Sequence, residues 1–288
     1  MINACNPQSL AIVRSHAELR DLTDAWRAAG ERLALVPTMG ALHEGHLSLV
    51  RLARGKASKV MASLFVNPAQ FGPTEDFQTY PRDEARDAQL LAAAGCDLLY
   101  APQPAAIYPP GFATTVAVGG LTSFMEGAAR PGHFAGVTTV VAKLLIQCAP
   151  NVAVFGEKDY QQLTVIRRLA ADLDLLVEIL AGPIVRDADG LALSSRNAFL
   201  SAQQRTIAPA LNRALRNAAA AVAEGAQAAV AEAEARRALE TAGFDAIDYV
   251  EVRSADSLER LVDAVSVPAR VLAAARLGRV RLLDNAPV

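Results

Sequence analysis

His43 and His46 lie three residues apart in the stretch VPTMGALHEGH, which directly follows the apolar residues LAL. They are two of the chain's four histidines, and Gly40 and Gly45 share the stretch with them. Backbone N–H groups of Met39, Gly40, Ala41, Leu42, His43, Glu44 and Gly45, at the opening of a helix, would cradle phosphate. His43 and His46 would add side-chain donors, and the glycines let the backbone come close. Four residues separate Gly40 from Gly45, as in a P-loop, but His46 and Leu47 stand where that motif needs Lys and a hydroxyl. HEGH also differs from HExxH, whose zinc ligands are four apart, and no clear third ligand accompanies it. A phosphate loop is favoured over zinc, and over a strand-to-helix turn with incidental histidines.

Four later stretches carry polar groups after apolar ones. FVNPAQFGPTEDFQTYPRD places the neutral amides Asn67 and Gln70 just past a strand, where they suit a polar uncharged group. Taken alone it reads better as turn chemistry, because Asn-Pro and Gly-Pro are turn formers. EGAARPGHFAGVTTVV sets Arg130 and His133 around Pro131-Gly132, before a helix. FGEKDYQQL puts Glu157, Lys158 and Asp159 between strand and helix, with Gln162 one turn on and able to point back. IVRDADGLALSSRN brings Ser194, Ser195 and Arg196 together after a turn, two hydroxyls and a guanidinium fit for phosphate. Each stretch has a plain structural explanation, such as an exposed turn or a helix cap. Together they describe a polyphosphate site beside a small polar substrate.

The elements that must position these groups alternate. LAIVRS reads as a short strand, and SHAELRDLTDAWRAAG as a helix with Ser15 as N-cap, Glu18 three residues on and Gly30 past its end. RLALVPT and KVMASLFVN are buried strands around the helix GHLSLVRLARGKA. TYPRDEARDAQLLAAAGC is a helix and CDLLYAP a strand, whereas residues 101–136, rich in Pro and Gly, are expected to form long loops. The helices GVTTVVAKLLIQCAP and DYQQLTVIRRLAADLD flank the strand VAVFGE, and LLVEILAGPIVR is a strand leading outward. The fold class expected is α/β, a Rossmann-like parallel sheet with helices on both faces. Beyond residue 185 an Ala-rich helical run, a strand-then-helix AIDYVEVRSADSLERL and two strands around Gly278 predict a smaller α+β domain. The expected division is 1–185, the Rossmann-like domain, and 186–288, the smaller C-terminal domain.

Hydrophobic residues make up 52% of the 288 residues and charged ones 20%, enough for a sizeable core. The net charge of −2 gives no support to a nucleic-acid partner. Cys5, Cys96 and Cys148 are widely separated with no CxxC, which predicts reduced thiols. No apolar stretch reaches membrane-spanning length, and the first residues lack a signal peptide's apolar core. A cytoplasmic protein without membrane association is expected.

The stretches PTMGALHEGH, FVNPAQFGPTEDFQTYPR, RPGHFAGV, FGEKDYQQL and LSSRN, in this order, resemble the pantoate–β-alanine ligase family of the nucleotidylyltransferase-like superfamily. HEGH fits the HxGH element of adenylating enzymes, and LSSRN is similar to their mobile phosphate loop. The resemblance implies ATP-dependent condensation of (R)-pantoate with β-alanine to pantothenate through a pantoyl adenylate, releasing pyrophosphate and then AMP. It implies ATP as substrate, Mg2+, and a homodimer. By matching position, residues Met39 to His46, with Gly156, Glu157, Lys158, Asp159, Val185, Leu193, Ser194, Ser195 and Arg196, form the ATP site. Gln70 and Gln162 clamp pantoate, with β-alanine beside it. His46 matches the family's proton donor, but His43 and His46 are read here as stabilisers of phosphate charge, with Lys158 on the phosphates. Arg130 and His133 fall in a matching stretch with no role assigned. Departures are small: Leu193 where Met is common, Met125 where Leu is frequent, and a short extension over 1–8. A nucleotidylyltransferase that stops at an adenylylated product, and a nucleotide sensor without turnover, are the competing readings.

Overall fold

A computed structural model describes residues 10–73 and 75–288, so Cys5 and the 1–8 extension lie outside the described residues. The chain forms two compact units. The first holds the described residues up to Ala117, with Gly132–Phe155 and Ile166–Gly182; the second holds Val118–Pro131, Gly156–Val165 and Pro183–Val288. The sequence division at 185/186 falls next to Pro183, where the longest segment of the second unit begins. Two earlier segments also belong to that unit.

The first unit is built on strands β1 (Ala11–Val13), β2 (Leu33–Thr38), β3 (Lys59–Leu64), β4 (Leu98–Tyr100), β5 (Val152–Gly156) and β6 (Glu178–Gly182). Their order across the sheet is β1-β4-β3-β2-β5-β6, and the pairs β1–β4, β4–β3, β3–β2 and β2–β5 are parallel. Leu33, Ala34, Leu35 and Val36 of β2 are all fully buried, as a strand covered on both faces must be. Ala34 and Val36 face a core with Leu49 and Val50 of α2 (Glu44–Arg54) and Leu91 of α3 (Glu84–Ala93). Leu33 and Leu35 point to the other face by strand alternation, where α1 (His16–Ala28) and α6 (His133–Cys148) touch β2 and each other. Ser15 caps α1 reciprocally with Glu18, as the sequence predicts.

From β2 the chain moves outward through β3 and β4, then returns to place β5 on the opposite side of β2. In open α/β sheets such a reversal marks the carboxyl edge where ligands bind. The loop after β2 is the one that carries His43. Burial pushes the Cys96 thiol up to about 11 and the Cys148 thiol to about 12, so both stay protonated and inert.

Residues 101–136 are largely loop, interrupted by the short helices α4 (Pro104–Ile107) and α5 (Glu126–Ala129). Helix α6 starts at His133, three residues before the expected Gly136, because Gly132 takes φ +83 ahead of it. Helix α7 (Tyr160–Asp172) follows β5 after a short 3-10 turn.

In the second unit α8 (Ala202–Ile207), α9 (Ala210–Ala223) and α10 (Ala228–Ala242) precede an antiparallel sheet of β7 (Ala246–Ser254), β8 (Ala269–Leu277) and β9 (Val280–Pro287). Leu211, Leu215 and Val222 of α9 and Leu239 of α10 share a core with Val252, Val271 and Leu282. The helix expected over SADSLERL is absent: the chain doubles back along β7, with Leu261 N–H bonded to the Val252 carbonyl. Ser254 Oγ accepts from Ser257 N–H and Ser257 Oγ from Glu259 N–H, local bonds that compete with a helix. Leu258 is fully buried at φ +56, a conformation a helix does not offer.

Candidate active site

In the first unit, Met39 to Leu42 connect β2 to α2, with Gly40 at φ +86 and Ala41 at +52. Two N–H groups of this loop are held from below. Asp87 of α3, fully buried, accepts Ala41 N–H at Oδ2 and Leu42 N–H at Oδ1, each at 2.9 Å. A Cβ on Gly40 would stand 3.0 Å from Asp87 Oδ2, so glycine permits both the backbone turn and the close carboxylate.

His43 is the N-cap of α2. Its Nδ1 accepts from Gly45 N–H at 3.2 Å, while His46 Nδ1 accepts from His43 N–H at 3.3 Å. This is a capping box built from imidazoles instead of Ser and Glu. A ring that accepts at Nδ1 carries its proton on Nε2, so both rings are set as Nε2–H donors. Their centroids are 4.1 Å apart. Glu44 is exposed and pairs with Arg51.

Gln70 closes a 3-10 turn after β3 (Pro68–Gln70), capped by Asn67. Asn67 is 1% exposed, and its amide orientation is fixed on both sides. Oδ1 accepts from Tyr108 OH at 2.8 Å and Ala69 N–H at 3.2 Å; Nδ2 donates to the Gly136 carbonyl at 3.1 Å and to Gln70 Oε1 at 3.0 Å. Gln70 Nε2 then turns to the Met39 sulfur at 3.1 Å, a weak acceptor that a carboxylate or hydroxyl would readily replace. His133 Nδ1–H donates to the Gln70 carbonyl at 2.9 Å, which gives this histidine a positioning task. A Cβ on Gly136 would meet the Ala69 carbonyl at 2.2 Å, so only glycine lets α6 approach this turn.

In the second unit, Gly156 leads into the 3-10 turn Glu157–Asp159, and Lys158 Nζ lies 3.5 Å from Asp159 Oδ2. The stretch from Val185 to Ser194 is a tight hairpin: Leu193 N–H bonds the Val185 carbonyl, and Arg186 pairs with Ala192. Asp187 and Asp189 brace its tip on Arg205 at 2.8 and 2.5 Å. Ser194 caps the 3-10 turn Ser195–Phe199, accepting Arg196 N–H at 3.3 Å. Lys158, Ser194 and Asn197 line one small cleft.

Gln162 sits half-buried one turn into α7. Its neighbour Gln161 is buried and holds the 118–131 segment, accepting Glu126 N–H at 3.0 Å and donating to the Leu121 and Phe124 carbonyls. Glu126 takes a bidentate bond from Arg281 at 2.6 and 2.7 Å and the Tyr249 hydroxyl at 2.8 Å. Burial raises the Tyr249 hydroxyl well above its ordinary range, with the Glu126 charge adding to the effect, so it remains a donor. Arg130 lies 3.9 Å from the same carboxylate.

The sequence-derived residues therefore fall into two groups. Met39 to His46 join Gln70 and His133 in the first unit; Gly156 to Asp159, Gln162, Val185, Leu193 to Arg196 and Arg130 belong to the second. The sequence reading missed Asp87, Tyr108, Gln161, Asp284 and Asn285. Among the described residues no cluster of three or more His, Cys, Asp or Glu could hold a metal, and no helix is long and apolar enough to cross a membrane.

A family model described as pantoate-beta-alanine ligase matches residues 11–287. The pantothenate synthetase of Rhodospirillum rubrum is 57% identical over 278 residues, 96% of this chain and 99% of that protein. That of Caulobacter vibrioides is 58% identical, covering 96% of this chain and 98% of its own length. The crystal structure of pantothenate synthetase from Thermus thermophilus superposes with TM-score 0.90 at 48% identity, covering 96% of this chain and 99% of that one. A pantoate-beta-alanine ligase structure from Francisella tularensis, complexed with beta-gamma ATP and beta-alanine, gives TM-score 0.81 at 32% identity and covers 96% and 97% of the two chains.

Proposed function

This chain belongs to the pantoate–β-alanine ligase family, and from that membership we propose how its residues carry the reaction. The enzyme is an ATP-dependent ligase that joins pantoate to β-alanine, giving pantothenate. The carboxylate of (R)-pantoate attacks the α-phosphorus of MgATP; pyrophosphate leaves and pantoyl adenylate forms. The amine of β-alanine then attacks the acyl carbon, the C–O bond to AMP breaks, and the amine sheds a proton. A carboxylate needs such activation because oxide is a poor leaving group and AMP a good one.

The observation that carries the residue assignment is the imidazole capping box. It makes Nε2–H the donor of both His43 and His46 at a helix N-terminus, a place suited to anions. Hydrogen-bond donation by these neutral rings neutralises developing phosphate charge and does not require an imidazolium. A general-acid role for His46 would place an Nδ1–H against the His43 N–H, so stabilisation is the better reading. The expected cradle of backbone donors is largely spent within the chain, since the N–H groups of Gly40, Ala41, Leu42, His43 and Gly45 are held by Thr38, Asp87, His46 and His43. Met39 to Gly45 therefore shape the wall of the phosphate site, and Lys158, Ser194, Ser195 and Arg196 grip the phosphate oxygens. Gly156, Glu157, Asp159, Val185 and Leu193 shape the rest of the ATP site. Gln70 and Gln162 bind the hydroxyls and carboxylate of pantoate. Asp159, the carboxylate beside Lys158, is the residue that would hold a Mg2+ brought with ATP, and the ion would supply neutralisation of phosphate charge. A cytoplasmic homodimer belongs to the same reading, supported by the family resemblance.

Resolving the nucleotides after incubation with ATP, pantoate and β-alanine tests the reaction. AMP with pyrophosphate is expected; ADP with phosphate would instead mean a kinase or an acyl-phosphate ligase. Gln70→Ala is expected to raise KM for pantoate about tenfold, the worth of one to two neutral hydrogen bonds, with KM for ATP nearly unchanged. An equal rise in both constants would remove Gln70 from the pantoate clamp.

A further inference from the structure

We propose that Asp284 and Asn285, neighbours on the last strand, are positioning residues that hold Lys158 and the Ser194–Arg196 turn in one fixed arrangement. The proposal rests on the ligase reading, in which both segments grip the triphosphate.

Successive side chains of a strand point to opposite faces, so this dipeptide on β9 can serve two segments at once. Asp284 faces the hairpin. Its carboxylate takes Arg186 Nη1 at 2.6 Å and Nη2 at 2.9 Å, a two-pronged bond that fixes direction as well as distance. Arg186 also donates to the Gly190 carbonyl at 3.1 Å and to the Asn285 carbonyl at 3.3 Å. The guanidinium thereby ties the base and the turn of the hairpin to the strand, and the hairpin's second arm runs straight into Ser194.

Asn285 faces the lysine. It is 1% exposed, and its Nδ2 donates to the Glu157 carbonyl at 2.8 Å and the Lys158 carbonyl at 3.1 Å. Its Oδ1 accepts from Arg270 Nη1 at 2.5 Å. Arg270 in turn pairs with Glu157 Oε2 at 3.1 Å and lies 4.1 Å over the Tyr160 ring. The backbone of Lys158 is thus clamped from the same strand that clamps the hairpin, while its ammonium stays available. Asp284 also lines the cleft shared by Lys158, Ser194 and Asn197. Asn197 Oδ1 is buried there and accepts no hydrogen bond from the described residues, although its Nδ2 holds the Ala192 carbonyl at 3.0 Å. Phosphoryl transfer depends on alignment, and an ångström of misplacement can cost about a hundredfold in rate. A shared anchor for two phosphate grips meets that demand.

The two half-reactions separate positioning from general stability. Lys158 and the Ser194–Arg196 turn act on the phosphates that leave as pyrophosphate, so they matter in the first half-reaction and little in the second. Asn285→Ala is expected to slow pantoate-dependent ATP–pyrophosphate exchange about 30-fold. Reaction of pre-formed pantoyl adenylate with β-alanine should stay within about twofold. Asp284→Asn, which keeps the side chain's shape, is expected to show the same split. In a Lys158→Ala background, Asn285→Ala should add little, because its effect runs through that lysine. Equal loss of both half-reactions, as a poorly folded variant would give, overturns the proposal, and so does full additivity with Lys158→Ala. Exchange in the wild type that Asn285→Ala leaves untouched overturns the positioning role alone. A wild type with no pantoate-dependent exchange overturns the ligase reading and this proposal together.

Discussion

Replacing Lys158 with alanine is expected to lower pantoate-dependent ATP–pyrophosphate exchange by about 10²-fold or more. The side chain is 21% exposed and its ammonium stands 3.5 Å from Asp159, a long pairing that leaves it able to meet phosphate. Charge accumulates on the departing pyrophosphate only as the P–O bond breaks, so the ammonium is worth more in the transition state than in bound ATP. The loss should therefore appear mainly in kcat, with a smaller rise in KM for ATP. Folding should be little affected, since a loose and partly exposed ion pair contributes under about 1 kcal/mol. Arginine is a poor substitute, because its planar fork differs from a compact ammonium in length and donor directions. Near-normal exchange by folded Lys158→Ala protein, measured with labelled pyrophosphate, would falsify the assignment.

His46→Ala carries the second large effect, a fall in exchange of about 10²-fold. Two losses combine. The Nε2–H donor to phosphate disappears, and the His43 N–H loses the acceptor that closes the capping box. Loss of a cap typically costs about 1 kcal/mol of stability, which a thermal melt would show as a modest downward shift. His46→Asn separates the parts, because a short amide can still accept from the His43 N–H without reaching the phosphate. Its stability should recover toward wild type while its exchange rate stays low. Recovery of both together would make His46 a capping residue and nothing more.

What the sequence disclosed, and what it hid, follows from how far along the chain each partner lies. The His43–His46 box spans three residues, so its spacing is visible in the string, although imidazoles in place of Ser and Glu disguise a capping box. Strands β2 and β3 are legible because burial on both faces demands unbroken apolar runs. Asp87 was invisible: its partners Ala41 and Leu42 are more than forty residues earlier, and an Asp in DEARDAQ reads as helix surface. Tyr108 lies in a Pro-rich stretch that reads as loop, and nothing local links it to Asn67. Asp284 and Asn285 did leave a signal. Two polar residues inside RLLDNAPV interrupt a strand otherwise dense in apolar side chains, and such residues in a buried strand need partners. SADSLERL misled in the opposite direction, since its apolar spacing suits a helix while its serines satisfy the backbone locally and Leu258 is drawn into the core.

The most direct test of the adenylate route follows oxygen. Pantoate labelled with 18O in its carboxylate, turned over with ATP and β-alanine, should deliver one labelled oxygen to the phosphate of AMP, because the carboxylate oxygen that attacks phosphorus leaves with it. Label recovered in inorganic phosphate beside ADP, or AMP free of label, would contradict the account.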